Sequence, residues 1–195
     1  MEVQDGLTSH TDGRVRCWWC GDDPGYVGYH DTEWGIPVHD DVRLFEKLCL
    51  EGFQAGLSWL TILRKRPAFR EAFDGFDPAT VARYGEADVQ RLLGNAGIVR
   101  HRGKIEATIA NARAYLDIVE EEGSLDGLVW AYAEHRPHAP RSRADVRTSS
   151  PASTALSEEL RRRGWRFVGP TTVYAFMQSM GLVDDHVVGC EWRRT

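Results

Sequence analysis

The sequence predicts an all-α protein. Apolar residues recur every three or four positions along most of the 195 residues, which is the period of an amphipathic helix. Helix-start signals precede several of these stretches, as at Asp77-Pro78, where the two residues suit the N-cap and the first helical position. The sequence contains no sustained alternation of apolar and polar residues, the pattern of a half-buried strand.

The first long helix is predicted to begin at Val42, with Asp40 or Asp41 as its N-cap. Its buried stripe comprises Leu44, Leu48, Glu51, Ala55 and Trp59. A short helix over 86–93 is ended by the turn GNAG, and a loop rich in Pro, Ser and Arg is predicted over 136–152. The other predicted helices cover 101–121, 124–135, 153–163 and 171–181.

Residues 14–195 are predicted to form one unit after a disordered extension at 1–13. A helical core at about 40–185 would adjoin a metal-binding region made of 14–35 and 184–195. Hydrophobic residues (42%) and charged residues (27%) occur in the proportions of a globular domain. No apolar run approaches the roughly 18 residues of a membrane span, and the first residues lack the features of a signal peptide. We therefore expect a cytoplasmic monomer with no membrane partner.

The net charge of −5 argues against extensive phosphate binding, but basic residues are concentrated locally. The basic runs are Arg64-Lys65-Arg66, His101-Arg102-Gly103-Lys104, and Arg161-Arg162-Arg163 with Arg166. Each run suits either a DNA contact or a solvated helix face. An enzyme that contacts DNA over a small area can carry a net negative charge on the rest of its surface.

Cysteines and histidines at both ends of the chain suggest a metal site. Cys17 and His30 lie near the start, and His186 and Cys190 lie four residues apart near the end. Two thiolates and two imidazoles make the closed tetrahedral set of a structural zinc. The alternative is that the thiols and imidazoles are ordinary buried side chains. Cys20, separated from Cys17 by two residues in the motif CWWC, could replace one ligand.

Glu51 is a carboxylate on an otherwise apolar helical stripe. Burying a carboxylate is costly unless it is paired or hydrogen bonded, so either a basic partner lies opposite or the residue lines a pocket. Aromatic residues crowd the N-terminal segment, at Trp18, Trp19, Tyr26, Tyr29 and Trp34. An acceptor among electron-rich rings suits a flat, cationic ligand, although each ring alone is equally well explained as core.

The segment FVGPTTVYAFMQ enters an apolar helix through a glycine-containing turn. Such a turn exposes backbone N–H groups at a helix N-terminus, where they can bind a phosphate. With 153–163 as the preceding helix, the segment is similar to a helix-hairpin-helix, and the alternative is an ordinary tight connection.

Several longer motifs closely resemble the 3-methyladenine DNA glycosylase I family. They are YHDTEWG (29–35), LCLEGFQAGLSWLTIL (48–63), GIVRHRGKI (97–105), NARAYL (111–116), FVGPTT (167–172) and HVVGC (186–190). They run in order from about Arg16 to Cys190. The resemblance implies a helix-hairpin-helix DNA glycosylase fold whose N- and C-terminal segments meet at a structural Zn²⁺.

The resemblance also implies roles for particular residues. The family's zinc ligands fall on Cys17, His30, His186 and Cys190. Its base-pocket glutamate falls on Glu51, and its pocket aromatics fall on Trp19, Tyr26, Tyr29 and Trp59.

Contacts with DNA are implied at two places. Leu57 corresponds to the residue that wedges into the base stack, and the hairpin corresponds to Gly169, Thr171 and Thr172. The chain departs from the family at Cys20 and at Asp184, where the family usually carries asparagine. Because related glycosylases place a catalytic aspartate near that point, Asp184 joins Glu51 as a catalytic candidate, with a solvated turn residue as the alternative.

The implied function is base-excision repair, in which N3-methyladenine is flipped out of alkylated double-stranded DNA and its N-glycosidic bond is hydrolysed. Two alternatives remain. One is a non-catalytic, zinc-stapled helical DNA-binding protein, and the other is a zinc hydrolase, which would need an open metal position.

Overall fold

The computed structural model describes residues 4–134 and 139–194 and is mostly helical. The helices are α1 (Pro24–Thr32), α2 (Asp41–Gln54), α3 (Trp59–Ala72), α4 (Pro78–Val81), α5 (Glu86–Gly94), α6 (Arg102–Glu122), α7 (Leu125–Trp130), α8 (Pro151–Arg162) and α9 (Pro170–Ser179). Short antiparallel strands, β1 (Leu7–Ser9) and β2 (Val15–Cys17), form one hairpin. The all-α prediction therefore holds for the core and is wrong at the N-terminus.

The predicted disordered extension is folded over residues 4–13. β1 pairs with β2 in the register Leu7 opposite Cys17, and Asp12-Gly13 makes the turn between them. The Asp12 carboxylate accepts a hydrogen bond from the N–H of Arg14, and Gly13 adopts φ +81°. Both features are typical of tight turns, so this hairpin signal was readable in the sequence. Residues 1–3 lie outside the described residues.

α2 is the central helix, and it packs against α3, α6, α7 and α9. The Asp40 carboxylate caps it by accepting from the N–H of Arg43 at 2.8 Å, as predicted. The prediction of one helix through Trp59 is wrong, because α2 ends at Gln54 and α3 begins at Trp59. Gly56 adopts φ +83° and the Ser58 hydroxyl caps α3. The left-handed backbone at Gly56 ends one helix and the N-cap at Ser58 begins another, so α2 and α3 are not continuous.

The core is aromatic at its centre. Its phenylalanines, each at most 1% exposed, are Phe45, Phe53, Phe69, Phe73, Phe76 and Phe176. The predicted helix 101–121 corresponds to α6, and 86–93 to α5. The helix predicted over 124–135 is shorter, since α7 ends at Trp130, and residues 135–138 lie outside the described part of the chain.

The predicted helices 153–163 and 171–181 correspond to α8 and α9, which pack against each other. Gly164 and Phe167 in their connection adopt φ +89° and φ +56°, which reverses the chain direction within a few residues. None of the helices in the described ranges is both long and apolar enough to span a bilayer.

Candidate active site and metal centre

A small pocket opens where α1, the start of α3, α9 and the turn after β2 meet. Its volume is about 190 Å³, below the roughly 300 Å³ at which pockets for drug-sized ligands begin, so it suits a single flat ring system. Its lining comprises Trp18, Trp19, Tyr26, Tyr29, Trp34, Glu51, Gln54, Trp59, Val146, Ala175, Gln178, Ser179 and Asp185. The five residues predicted to bind the base therefore all line this one pocket.

The aromatic side chains of the pocket support one another. Trp19 lies with its ring centroid 5.1 Å from Tyr26, and Tyr29 lies 5.5 Å from Trp59. The Asp23 carboxylate caps α1 by accepting from the N–H of Tyr26, which fixes the helix that carries both tyrosines. Burial raises the pKa of Tyr26 to about 12, so its phenol is neutral at physiological pH.

Glu51 lies inside the protein at the pocket wall and is 5% exposed. Its partner is a residue that the sequence analysis did not single out. The Nζ of Lys47, one helical turn earlier on α2, lies 2.8 Å from Glu51 Oε1. The same ammonium donates to Tyr29 Oη at 3.0 Å and lies 3.1 Å from the ring centroid of Trp59. The i, i+4 spacing of Lys47 and Glu51 was the available signal.

Two neighbouring aspartates separate into two environments. Asp185 is 2% exposed and lines the pocket, where its Oδ2 accepts hydrogen bonds from Tyr174 Oη at 2.7 Å and Gln178 Nε2 at 2.8 Å. Asp184, the predicted catalytic aspartate, instead lies 2.8 Å from His186 Nδ1. Asp184 Oδ1 also accepts from the N–H of His186 at 3.1 Å, so within the segment 184–186 this carboxylate is engaged by His186, whereas that of Asp185 lies in the pocket lining.

The predicted metal ligands converge on the other side of that segment. The ligand atoms of Cys17, His30 and Cys190 all lie within 4.8 Å of one another, and all three residues are buried. Tetrahedral zinc with Zn–S near 2.3 Å and Zn–N near 2.0 Å separates its ligands by roughly 3.3–3.8 Å. The distance from Cys190 Sγ to His30 Nε2, 3.5 Å, fits that range. Cys20 is outside this group.

His186 lies outside that group of three but beside it. Its ring centroid lies 5.2 Å from that of His30, and its Nε2 is buried without a hydrogen-bond partner in the described part of the chain. Asp184 and Asp31 hold the Nδ1 atoms of His186 and His30, at 2.8 and 2.9 Å. Carboxylates in this position leave each Nε2 free for a metal, as in zinc sites. The donor chemistry of the four side chains therefore fits a zinc ion, with Cys17, His30 and Cys190 already convergent and His186 outside that group of three.

The predicted wedge, Leu57, stands in the connection between α2 and α3 and is 43% exposed. Its flanking residues Gln54 and Trp59 both line the pocket, which places Leu57 at the mouth. The buried ammonium of Lys104 donates to the carbonyls of Phe53 at 2.8 Å and Ala55 at 2.6 Å. Lys104 thereby satisfies the open C-terminal carbonyls of α2 and holds the connection in place.

The predicted hairpin residues lie at the start of α9. Gly169 is its N-cap, and Thr171 and Thr172 follow the proline that occupies the first helical position. The guanidinium of Arg161 lies beside Gly169, 3.4 Å from the position a Cβ would occupy there. A cation and free helix N-terminal amides thus meet at one exposed point.

Most of the basic runs are paired within the chain. Arg64 pairs with Asp23 at 2.6 Å and Arg66 with Glu33 at 2.5 Å. Lys65 donates to two backbone carbonyls, at residues 96 and 97. In the third run, Arg162 and Arg163 bind acidic residues of α8 and α6. For these side chains the structure favours the helix-face alternative.

The fold and the site define a helical protein with an aromatic pocket for one polar ring system. Residues 19–194 match the family model described as methyladenine glycosylase. DNA-3-methyladenine glycosylase 1 of Escherichia coli strain K12 is 51% identical over 177 residues, which are 90% of this chain and 95% of that protein.

Solved structures agree. A crystal structure of 3-methyladenine DNA glycosylase I superimposes with a TM-score of 0.89 at 49% identity, covering 92% of this chain and all of the other. A variant of 3-methyladenine DNA glycosylase I in complex with 3-methyladenine gives a TM-score of 0.88 at 38% identity, covering 92% and 98%. The chain belongs to the methyladenine glycosylase family. The predicted family and enzyme class, DNA-3-methyladenine glycosylase I, are confirmed.

Proposed function

We propose that this enzyme excises N3-methyladenine from alkylated double-stranded DNA by flipping the damaged nucleotide into the aromatic pocket and hydrolysing its N-glycosidic bond. The observation that carries the proposal is the buried carboxylate of Glu51 in a pocket sized for one base. The family relatives named for 3-methyladenine support the choice of base.

Recognition follows from the chemistry of the damaged base. Alkylation at N3 makes the nucleoside cationic, and the exocyclic amine of adenine donates a hydrogen bond. The Glu51 carboxylate accepts that bond, whereas guanine would present a carbonyl oxygen to it and be repelled. Stacking on Trp19 and Trp59 contributes about 1–3 kcal/mol per contact, which offsets the few kcal/mol needed to unstack the nucleotide.

Bond cleavage needs little assistance because the leaving base already carries the positive charge. Water attacks the sugar carbon, the glycosidic bond breaks, and its electron pair leaves with neutral 3-methyladenine. We assign Asp185, in place of Asp184, to hold the water and accept its proton. The support for this role is that Asp185 lines the pocket and is held by Tyr174 and Gln178.

The duplex is held from two sides in this proposal. Leu57 enters the base stack and fills the gap left by the flipped nucleotide, as apolar wedges do in other DNA-bending proteins. A phosphate is bound at the start of α9 by the amides of Thr171 and Thr172, with Gly169 allowing close approach and Arg161 adding a positive charge.

We also propose that Cys17, His30, His186 and Cys190 bind one structural Zn²⁺ per chain. Four protein ligands leave no open position for water, so the metal would stabilise the fold and take no part in hydrolysis. The support is the convergence of the two thiols with the His30 imidazole, the ring contact between His30 and His186, and the orientation of both rings by carboxylates.

The deciding experiment is chromatography of bases released from methylated duplex DNA by the wild type and by Glu51→Gln. Loss of a charge-assisted hydrogen bond, about 1.5–3 kcal/mol, should lower the single-turnover rate of 3-methyladenine release roughly 10- to 100-fold. Glu46→Gln is the matched control, because Glu46 is also a buried carboxylate of α2 and pairs with Arg70 outside the pocket. That variant should stay within about threefold of the wild-type rate.

The outcomes separate the alternatives. A protein that binds methylated DNA but releases no base would be the non-catalytic DNA-binding protein. Equal release of 3-methyladenine and 3-methylguanine would refute the role given to Glu51 in choosing the base, as would a full rate in Glu51→Gln.

A further inference from the structure

Lys47 already engages the groups that we propose for base recognition. Its ammonium contacts the Glu51 carboxylate, the Tyr29 hydroxyl and the face of the Trp59 ring, at 2.8, 3.0 and 3.1 Å. All three partners line the pocket, whereas Lys47 stands behind them, with its side chain 6% exposed. A cationic base that enters therefore meets a carboxylate that already has a counter-ion.

The charges around Lys47 otherwise cancel. Glu51 on α2 is its direct partner, Glu33 and Arg66 form a second pair at 2.5 Å, and Tyr29 is neutral because burial raises the pKa of its phenol well above the usual value. A second cation at the Glu51 carboxylate would lie close to the Lys47 ammonium and be repelled by it, although Asp185, elsewhere in the pocket lining, offsets part of the added charge. The repulsion is relieved if Lys47 gives up a proton.

We propose that Lys47 is the resident counter-cation of the pocket, and that a purine carrying a fixed positive charge displaces its proton. The inference rests on the proposed function, since it takes the pocket to bind an alkylated adenine. The ammonium loses H⁺ to water and keeps its electron pair as a neutral amine, and no bond of the base changes. Lys47 is thus a positioning residue that acts through Glu51.

The exchange explains how a pocket can reject undamaged bases. A neutral adenine brings no charge to replace that of Lys47, so Glu51 stays paired with the ammonium and cannot turn fully to the base. A cationic base substitutes for the ammonium. The proton can leave near neutral pH, because burial lowers the pKa of Lys47 to about 8.

Calorimetric titration with two probes tests the exchange. Adenine alkylated at both N3 and N9 is a permanent cation, and free 3-methyladenine is neutral at pH 7 to 9. In buffers of different ionisation enthalpy, the permanent cation should release close to one proton at pH 7, and its affinity should rise about fivefold from pH 7 to 8 and level off above pH 9. The neutral base should release none.

Two substitutions sharpen the test. Lys47→Met should abolish proton release and the pH dependence between pH 7 and 9. Lys47→Arg keeps a cation that cannot lose its proton in this range, so the permanent cation should bind at least tenfold more weakly at every pH while the neutral base still binds. If either variant fails to fold, the number of protons released by the wild type and the pH dependence of its affinity still test the role of Lys47.

The results distinguish this inference from the proposed function. Binding of the permanent cation without proton release, or equally tight binding of that cation by Lys47→Arg, would overturn the role of Lys47, and continued excision of 3-methyladenine would leave the enzyme's activity standing. Failure of both probes to bind, together with no base released from methylated DNA, would overturn the proposed function itself.

Discussion

Replacing Gly35 with alanine should disrupt the metal centre. A Cβ at this position would lie 2.7 Å from His186 Cε1, and ordinary contact begins at 3.4 Å, so the imidazole must retreat by about 0.7 Å. Zinc–ligand distances tolerate a change of roughly 0.2 Å, so His186 should no longer bind the metal. Gly35 also adopts φ +80°, which costs an L-residue about 1–2 kcal/mol. We therefore expect loss of zinc and of folding stability together.

Two glycine variants separate the clash from the backbone strain. Gly13 has nearly the same φ, +81°, with no atom near its Cβ position, so Gly13→Ala should cost only the strain, about 1–2 kcal/mol. Gly28 lies in α1 with open space around it, so Gly28→Ala should be neutral or stabilise by up to about 1 kcal/mol. Denaturant unfolding and elemental analysis give stability and zinc per chain. Equal zinc in the Gly35 and Gly13 variants would refute the assignment of His186 as a ligand held by Gly35.

Two other predictions concern catalysis. Asp185→Asn should lower single-turnover excision at least about 100-fold with little change in affinity for free base, whereas Asp184→Asn should weaken zinc retention about 10- to 100-fold instead. Lys104→Met leaves the carbonyls of Phe53 and Ala55 without their donor, a cost of about 1–3 kcal/mol. Because it loosens the wedge, it should slow excision from duplex DNA more than from single strands. An unchanged rate in Asp185→Asn, or an equal effect of Lys104→Met on both substrates, would contradict these roles.

The helices could be predicted where their ends carry local signals. Asp40 and Asp77 both cap helices through their own carboxylates, and such contacts span only three residues of sequence. The β1–β2 hairpin was missed although Asp12-Gly13 marks its turn, because a strand of three residues is too short to show alternation. Its order comes from tertiary packing, because Leu7 lies against the small buried cluster of Cys17, Val187 and Cys190. A contact between the two ends of the chain is not visible in a local sequence pattern.

For the pocket, the sequence predicts which face of a helix is buried but not which side chains meet there. Glu51 follows the apolar stripe of α2 into the interior, and the stripe alone predicts its burial. Lys47 follows the same face, but its spacing fits an exposed ion pair equally well, and only the packing of Tyr29 and Trp59 around it makes the pair internal. The choice between Asp184 and Asp185 depends on the backbone conformation of residues 184–186, which the sequence leaves open.

The proposed metal centre and the pocket share their supporting segments. Proposed ligands alternate with pocket residues along the chain, as in Cys17 and Trp19, Tyr29 and His30, and Asp185 and His186. The ring of Trp19 lies 5.2 Å from that of His30, so the two sites are in direct contact. A zinc ion that fixes the ligands would therefore also fix half of the pocket wall without touching the base. On this reasoning, damage to the metal centre lowers base affinity before it lowers the helix content of α2 to α9, since those helices keep their phenylalanine core.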